Sequence, residues 1–326
     1  MTASFDVCGI GSALVDVLVE VPGGWVEESG LVKGSMQLMD LEAASAVHAK
    51  APGGIERSGG SVANTIAGLA SLGAATGFIG RVGADRFGDV FTADLASLGV
   101  TFGGQAGAGA TGRCLVLVSP DADRTMCTSL GVAAHLASAD LSEELIASSA
   151  ITYLEGYLWD EPVAIDALRA AVTHAHRAGR RVALSLSDPF CVDRHRAAWR
   201  ELIAGDVDVL LGNEAELCSL TESDDLAAAA RAVARPGLTV TVTRGPQGAW
   251  AFTDADEIVA VKATSLGPVV DTTGAGDLYA AGFLYGLVRD ADLETCARYG
   301  SVAAAEVISH VGARPERDLA ALLVGG

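Results

Sequence analysis

The chain has 326 residues, half of them apolar, with 22 Lys and Arg against 41 Asp and Glu for a formal net charge of −19. That length and apolar share allow one large α/β domain, whereas the acidic surface repels phosphate backbones and excludes a nucleic-acid polymer as partner. Apolar runs break before the length of a membrane span, the start MTASFDVCGIG lacks a basic leader region, and Cys8, Cys114, Cys127, Cys191, Cys218 and Cys296 form no CxxC pair, so a cytoplasmic protein with reduced thiols and no membrane contact is expected.

In chain order, FDVCGIGSALVDVLVEV (5–21) reads as strand, glycine turn and strand. SVANTIAGLASLG (61–73) reads as a helix, with Val62, Ile66 and Leu69 on one face, Ser61 as cap and Gly73 as stop. A strand over 76–82 and a helix over 87–98 follow. The Gly/Ala-rich piece 103–112 reads as a flexible connection. TGRCLVLVSP and DRTMCTSL read as two strands joined by a turn at Pro120-Asp121-Ala122-Asp123.

Strands then alternate with helices. Strands are expected at 151–155, 182–187, 207–211 and 238–243, with helices at 162–178, 194–204 and 227–234 between them. A hairpin at 249–253 and 257–263 leads to two long helices, 277–288 and 293–310. This alternation predicts a mostly parallel sheet between helices, with β segments at about 12–40 and 111–130 projecting as a small appendage of the single domain. Ligand sites of such folds lie at the carboxyl ends of the strands.

Five stretches carry candidate chemistry. Asp271-Thr272-Thr273-Gly274-Ala275-Gly276-Asp277 precedes an apolar helical pattern. Its free N–H groups and helix dipole suit an anion with Asp277 beside it, although small residues and an acid also make an ordinary turn and cap. In SGGSVANTIAGLASLG, the Gly59-Gly60 pair allows close approach of the backbone to a ligand, and Asn64 stands off the apolar face or simply meets solvent. Gly9-Ile10-Gly11 starts like a dinucleotide fingerprint, but its third glycine is missing and the chain continues as strand. Asp16, in an otherwise apolar strand, requires a partner, whether a ligand hydroxyl or an Arg. Asn213-Glu214-Ala215-Glu216 offers oxygens for hydrated Mg²⁺ or a capped helix start, and Thr243-Arg244-Gly245-Pro246-Gln247-Gly248 is a glycine turn.

Together and in this order, these stretches resemble the ribokinase-like family of sugar and nucleoside kinases, the pfkB carbohydrate kinases. SGGSVANTIAGLASLG with FIGRVGADRFG (78–88) is similar to the N-terminal signature, and DTTGAGD matches the C-terminal one. The resemblance implies a three-layer ribokinase-like fold with a small β lid, and transfer of the γ-phosphoryl group of ATP, with Mg²⁺, to a substrate hydroxyl. It implies Asp277 as general base, with Gly274, Ala275 and Gly276 stabilising charge on the transferring group. Asp16, Gly59, Gly60 and Asn64 match positions that hold sugar hydroxyls, and Glu155 a further polar position near them. Asn213 and Glu216 match the element that organises Mg²⁺ and phosphates, and Thr243, Gly245 and Gly248 the nucleotide-binding turn. Asp271 and Thr273 match part of a monovalent-cation (K⁺) site of many members. Arg113 and Arg124 fall in the lid.

GIGSALVDVLVEV and RTMCTSLG look closer to adenosine-kinase-like members than to ribokinase itself, and GSMQLMD resembles that branch too, although Ser12 replaces a common Asn. The acceptor expected is therefore the 5′-hydroxyl of a nucleoside, then a free sugar such as fructose or ribose. A non-catalytic ligand-binding regulator comes last. The protein is expected to act as monomer or homodimer.

Overall fold

The computed structural model describes residues 3–324 except Pro52 and Ala122. Its main sheet has nine strands in the order Val259–Val261, Ala249–Phe252, Thr239–Thr243, Val209–Asn213, Arg181–Ser185, Ser149–Glu155, Phe5–Ile10, Thr76–Ile79 and Thr101–Phe102. All pairings are parallel except the two made by the hairpin at the edge formed by Val259–Val261. The N-terminal strand lies inside the sheet, with Val7 opposite Ile151 on one side and Thr76 on the other.

Both faces of the sheet are covered, and successive residues feed opposite cores. Val7, Phe78, Ile151 and Tyr153 join the helices Ser61–Ser71, Arg86–Ser97, Ala275–Leu287 and Leu293–Val307. Cys8, Ile79 and Leu154 join Pro162–Arg177, Pro189–Gly205, Glu214–Thr221 and Leu226–Val233. Two-sided burial is why these strands read as near-continuous apolar runs.

A second sheet of five strands has the order Met36–Leu38, Arg124–Ser129, Gly112–Val118, Leu14–Glu20, Ile55–Gly59. Its alternation explains the acid in the apolar strand. Val15, Val17 and Val19 pack into the core, so Leu14, Asp16 and Leu18 take the other face, where they line cavities.

Several expectations are corrected. The projecting sheet includes Ile55–Gly59 as an edge strand, and the expected all-β stretch 12–40 contains a single helical turn, Trp25–Glu28. Residues 41–50 form a helix capped by Asp40. The segment 76–82 breaks at Gly80 into two strands. Residues 103–112 are no loose tether, because Gln105–Gly107 pairs with Arg81–Gly83. Helix 194–204 begins earlier, at Pro189, where Asp188 caps it. Of the turn expected at 120–123, Ala122 lies outside the described residues, as do Met1 and Thr2 of the N-terminal stretch.

Candidate active site

A cavity of about 710 Å³ opens at the carboxyl ends of the parallel strands, beneath the five-stranded sheet. At its floor, Gly274 caps the helix Ala275–Leu287 with φ 77°, a left-handed conformation that glycine adopts without strain. A Cβ there would also meet Ala313 Cβ at 2.7 Å. The Ala275 N–H donates to Thr272 O at 3.2 Å. Among the described residues the N–H groups of Gly274, Gly276 and Asp277 have no acceptor. Three aligned donors at the positive end of a helix form an anion cradle, shifted from the expected trio by exchange of Ala275 for Asp277 itself.

Asp277 stands on this first turn. Its Oδ1 accepts from Ser61 Oγ at 2.6 Å and its Oδ2 from Asn64 Nδ2 at 2.9 Å. Thr65 Oγ1 donates to the Asp277 carbonyl at 3.0 Å, seating one helix on the other. Burial raises the Asp277 carboxyl above its ordinary range, against the lowering effect of the Ser61 and Asn64 bonds and the Arg314 charge. A carboxylate with a raised pKa and only two donors retains acceptor capacity for a substrate proton.

Asn64 is 5 % exposed and lines both this cavity and an adjoining one of about 250 Å³; its Oδ1 has no partner. Asp16 lies in the smaller cavity with Arg57, Arg124 and Arg314. Its carboxyl is pushed up to about 6 by burial and the Asp277 charge, opposed by Arg314 and Arg124. Gly59 is pressed against Asp16, where a Cβ would collide with the carboxylate, and Gly60 has φ 99°. The pair thus does bring backbone close to a polar group, in the first instance to the protein's own Asp16.

Glu155 lines the main cavity, and its carboxylate is also held by backbone N–H groups. It is 1 % exposed, and its carboxylate accepts from the Ser12 N–H at 2.5 Å and the Val62 N–H at 3.4 Å. It therefore fastens the end of the first strand to the start of helix Ser61–Ser71. Burial pushes it up to about 7 despite these bonds.

Asn213 and Glu216 line the far end of the cavity and close on each other. The Asn213 N–H donates to Glu216 Oε2 at 2.9 Å, Asn213 Nδ2 to Glu216 Oε1 at 2.5 Å, and the Glu216 N–H to Asn213 Oδ1 at 2.9 Å. This is a capping box. Burial pushes Glu216 up to about 7. Each Glu216 oxygen takes one donor and keeps a lone pair, a set suited to the hydration shell of Mg²⁺ rather than to direct ligation. Thr243 lines the cavity, whereas Gly245 and Gly248 form the turn behind it, tied to the same helix by Arg244 and Glu214 at 3.1 Å.

Asp271 and Thr273 do not fit a monovalent cation. Asp271 Oδ1 accepts from the Thr273 N–H at 3.0 Å and Thr273 Oγ1 at 2.7 Å. Its Oδ2 accepts from the Gly312 N–H at 2.8 Å and pairs with Arg124 at 2.6 Å. A guanidinium from the small sheet already supplies the positive charge. Among the described residues no cluster of His, Cys, Asp and Glu suits a metal ion, and no helix is long and apolar enough to cross a membrane. Arg113 lies outside both cavities, stacked 4.8 Å from the Phe87 ring centroid.

Sequence reasoning missed Ser61 as a partner of Asp277, since a serine before a helix reads as a cap. It also missed Arg314, which has no motif around it, and Phe190, an aromatic residue that is 74 % exposed at the cavity mouth.

Residues 31–318 match the family model described as pfkB family carbohydrate kinase. The chain belongs to the pfkB family of carbohydrate kinases. It is thus a phosphotransferase of the sugar and nucleoside kinases, which use ATP as donor. A 5-dehydro-2-deoxygluconokinase of Listeria monocytogenes is 30 % identical over 263 residues, 77 % of this chain and 80 % of that protein. An adenosine kinase structure from Sinorhizobium meliloti superposes with TM-score 0.90 and 40 % identity, covering 99 % of both chains. A probable sugar kinase from Rhizobium etli gives TM-score 0.91 and 36 % identity, also covering 99 % of both. These likenesses bear out the ribokinase-like fold with its large, mostly parallel sheet.

Proposed function

We propose that this pfkB kinase phosphorylates the 5′-hydroxyl of a nucleoside, adenosine first among them. The observation that carries this reading is the wall of the main cavity. Met36, Leu38, Met126 and Leu130 of the small sheet and its flank line it together with Tyr157 and Phe190. A free sugar presents hydroxyls on every side and gains little from such a surface, whereas a flat heteroaromatic base buries area against apolar and aromatic groups. The likeness to the adenosine kinase of Sinorhizobium meliloti supports the same reading.

In this reading Asp277 takes the proton of the acceptor hydroxyl as its oxygen bonds to the γ-phosphorus. The bond from that phosphorus to the bridging oxygen breaks, and ADP leaves. The N–H groups of Gly274, Gly276 and Asp277 hold the charge on the transferring group beneath the small sheet, which acts as the lid. Asp16 and Asn64 hold the sugar hydroxyls. Thr243 flanks the nucleotide, and Gly245 and Gly248 shape the turn beside it. Glu216 and Asn213 hold the hydration shell of Mg²⁺, which neutralises phosphate charge when bound.

A free sugar or sugar acid is the second reading. It is favoured by relatives named 5-dehydro-2-deoxygluconokinase, and by Arg57 and Arg124 in the small cavity. The deciding test is ADP release from Mg-ATP with adenosine, other nucleosides, fructose, ribose and 5-dehydro-2-deoxygluconate. Adenosine-dependent ADP with a 5′-monophosphate as product is expected. Activity with a free sugar or sugar acid alone establishes the second reading, and no acceptor-dependent ADP from any of them points to a non-catalytic regulator.

A further inference from the structure

Arg314 is 9 % exposed, and its hydrogen bonds go to neutral oxygens. Nε and Nη2 donate to Ser58 O at 3.2 and 2.7 Å, Nη2 also to Ser58 Oγ at 2.6 Å, and Nη1 to Ala63 O at 2.7 Å. Ser58 belongs to the edge strand Ile55–Gly59 of the small sheet, and Ala63 to the first turn of helix Ser61–Ser71 in the main body. One guanidinium thus bridges the joint between the two sheets. The residues inside the joint are Gly59 and Gly60, where Asp16 and the Ser12 carbonyl leave no room for side chains. Glycine adds little stiffness of its own, so the joint rests on the pairing of Gly59 with Leu14 and on the Asn64 N–H bond to the Gly60 carbonyl at 2.9 Å. On the outer side, Ser58 Oγ donates to Asp94 Oδ2, as does the Ser58 N–H at 3.0 Å, which anchors the strand on helix Arg86–Ser97.

We propose that Arg314 is the positioning residue of this kinase: it clamps the glycine joint, so that Asp16 on the small sheet and Asp277 on the main body address the same acceptor. This rests on the reading of Asp277 as base and Asp16 as hydroxyl contact. The joint leads directly into Ser61 and Asn64, the two donors on the Asp277 carboxylate. A rotation at Gly59-Gly60 therefore shifts Asp277's partners and the lid together. The same cation favours ionised carboxylates on both sides of the joint, since no acid neutralises it through a direct hydrogen bond. Its charge lowers both Asp16 and Asp277 against their burial.

The groups facing Asp277 are Ser61 and Asn64 from helix Ser61–Ser71, Tyr153 and Glu155 from their strand, Tyr157 after it, Asp16 from the small sheet and Arg314. Only Arg314 among them favours the ionised form by charge. Removing it is expected to move the acid limb of kcat/KM to higher pH, because Asp277 must be deprotonated to act and its pKa then rises.

The test compares wild type, Arg314→Met and Arg314→Lys as full-length chains, with adenosine and Mg-ATP. In Arg314→Met, kcat/KM for adenosine is expected to fall about 100-fold, the scale of a misalignment near one ångström, while KM for ATP stays within about threefold. Its acid limb moves up, whereas Arg314→Lys keeps the charge and leaves the limb in place. Amide hydrogen exchange supplies a readout independent of turnover. Residues 59–64 and 14–20 are expected to exchange about 10-fold faster in Arg314→Met, with strand Thr239–Thr243 unchanged. The clamp is overturned by wild-type exchange at the joint, by acceleration shared equally with Thr239–Thr243, or by an unmoved acid limb in Arg314→Met. If the wild type releases no ADP with any acceptor of the panel, the kinase reading fails, and hydrogen exchange alone decides the clamp.

Discussion

Two loops of this protein start helices at the carboxyl ends of strands or beside them, each with an acid in the first turn, and they have opposite local chemistry. At Asn213–Glu216 the Asn213 and Glu216 side chains are engaged by each other and by each other's N–H groups. At Gly274–Asp277, three N–H groups face the cavity without an acceptor, and the acid takes its donors from Ser61 and Asn64 more than 200 residues away. Read as strings, NEAE and GAGD are both plausible caps. What separates them is the backbone before the helix. An Asn in extended conformation swings its side chain over the first turn and closes it. A left-handed Gly has nothing to close with and leaves the turn open. Capacity for chemistry at a helix start is what the cap does not consume.

The largest effect separating the loops is expected from Asp277→Asn. The amide is near in shape but cannot take a proton, so turnover is expected to drop about 10³-fold or more while the KM values change little. Steady-state ADP release measures it, and a drop below tenfold removes Asp277 as the base. Gly274→Ala comes next. It forces φ 77° on a residue with a Cβ and drives that Cβ into Ala313. A loss of roughly 1–3 kcal/mol of stability is expected, with lowered kcat. Thermal unfolding and ADP release measured together test it, and an unchanged Tm with wild-type turnover contradicts it.

Glu216→Gln is expected to be milder than either. Losing the charge-assisted half of the capping box costs about 1 kcal/mol, and a rise in the Mg²⁺ concentration for half-maximal rate is expected. If this variant loses as much turnover as Asp277→Asn, the contrast between the loops is wrong. The smallest effect is the pH dependence of Glu155. Its folded pKa of about 7 lies above the ordinary glutamate value. Ionisation is therefore disfavoured in the fold, and this carboxyl is expected to reduce stability as pH rises from about 4.5 to about 7. In Glu155→Gln that slope should flatten, because the amide does not titrate, while its oxygen still accepts from Ser12 or Val62. Unfolding midpoints across the same range measure it.

What the sequence made legible follows the same division. The parallel sheet was readable because its strands are buried on both faces and bounded by turn residues. DTTGAGD was readable because its glycines abut an apolar helix. The edge strand Ile55–Gly59 was not, since IERSG has no apolar alternation and Ile55 itself is exposed. Its pairing comes from register with Leu14–Glu20. Arg314 was invisible for another reason: its partners Ser58 and Ala63 lie more than 250 residues earlier, and all its acceptors are backbone or hydroxyl oxygens, which no residue pattern advertises. Asp16 could be singled out by its apolar neighbours, but only the alternation of its strand says which cavity it faces. The Asp271 carboxylate matched a cation site by position, and its occupancy by Arg124 depends on how the two sheets meet.

The placement of the first strand has a consequence for how the protein is made. Phe5–Ile10 lies between Thr76–Ile79 and Ser149–Glu155. On the ribosome it gains its first neighbour early, but its second only after residue 155 has emerged. Until then the nascent chain carries an apolar strand with an open edge, a template for pairing with other chains. Pauses before residues 149–155 have emerged prolong that exposure, whereas pauses after their emergence do not. Yield in the cell is therefore expected to respond to the tempo of translation while that strand is half-paired, as well as to the stability of the finished enzyme.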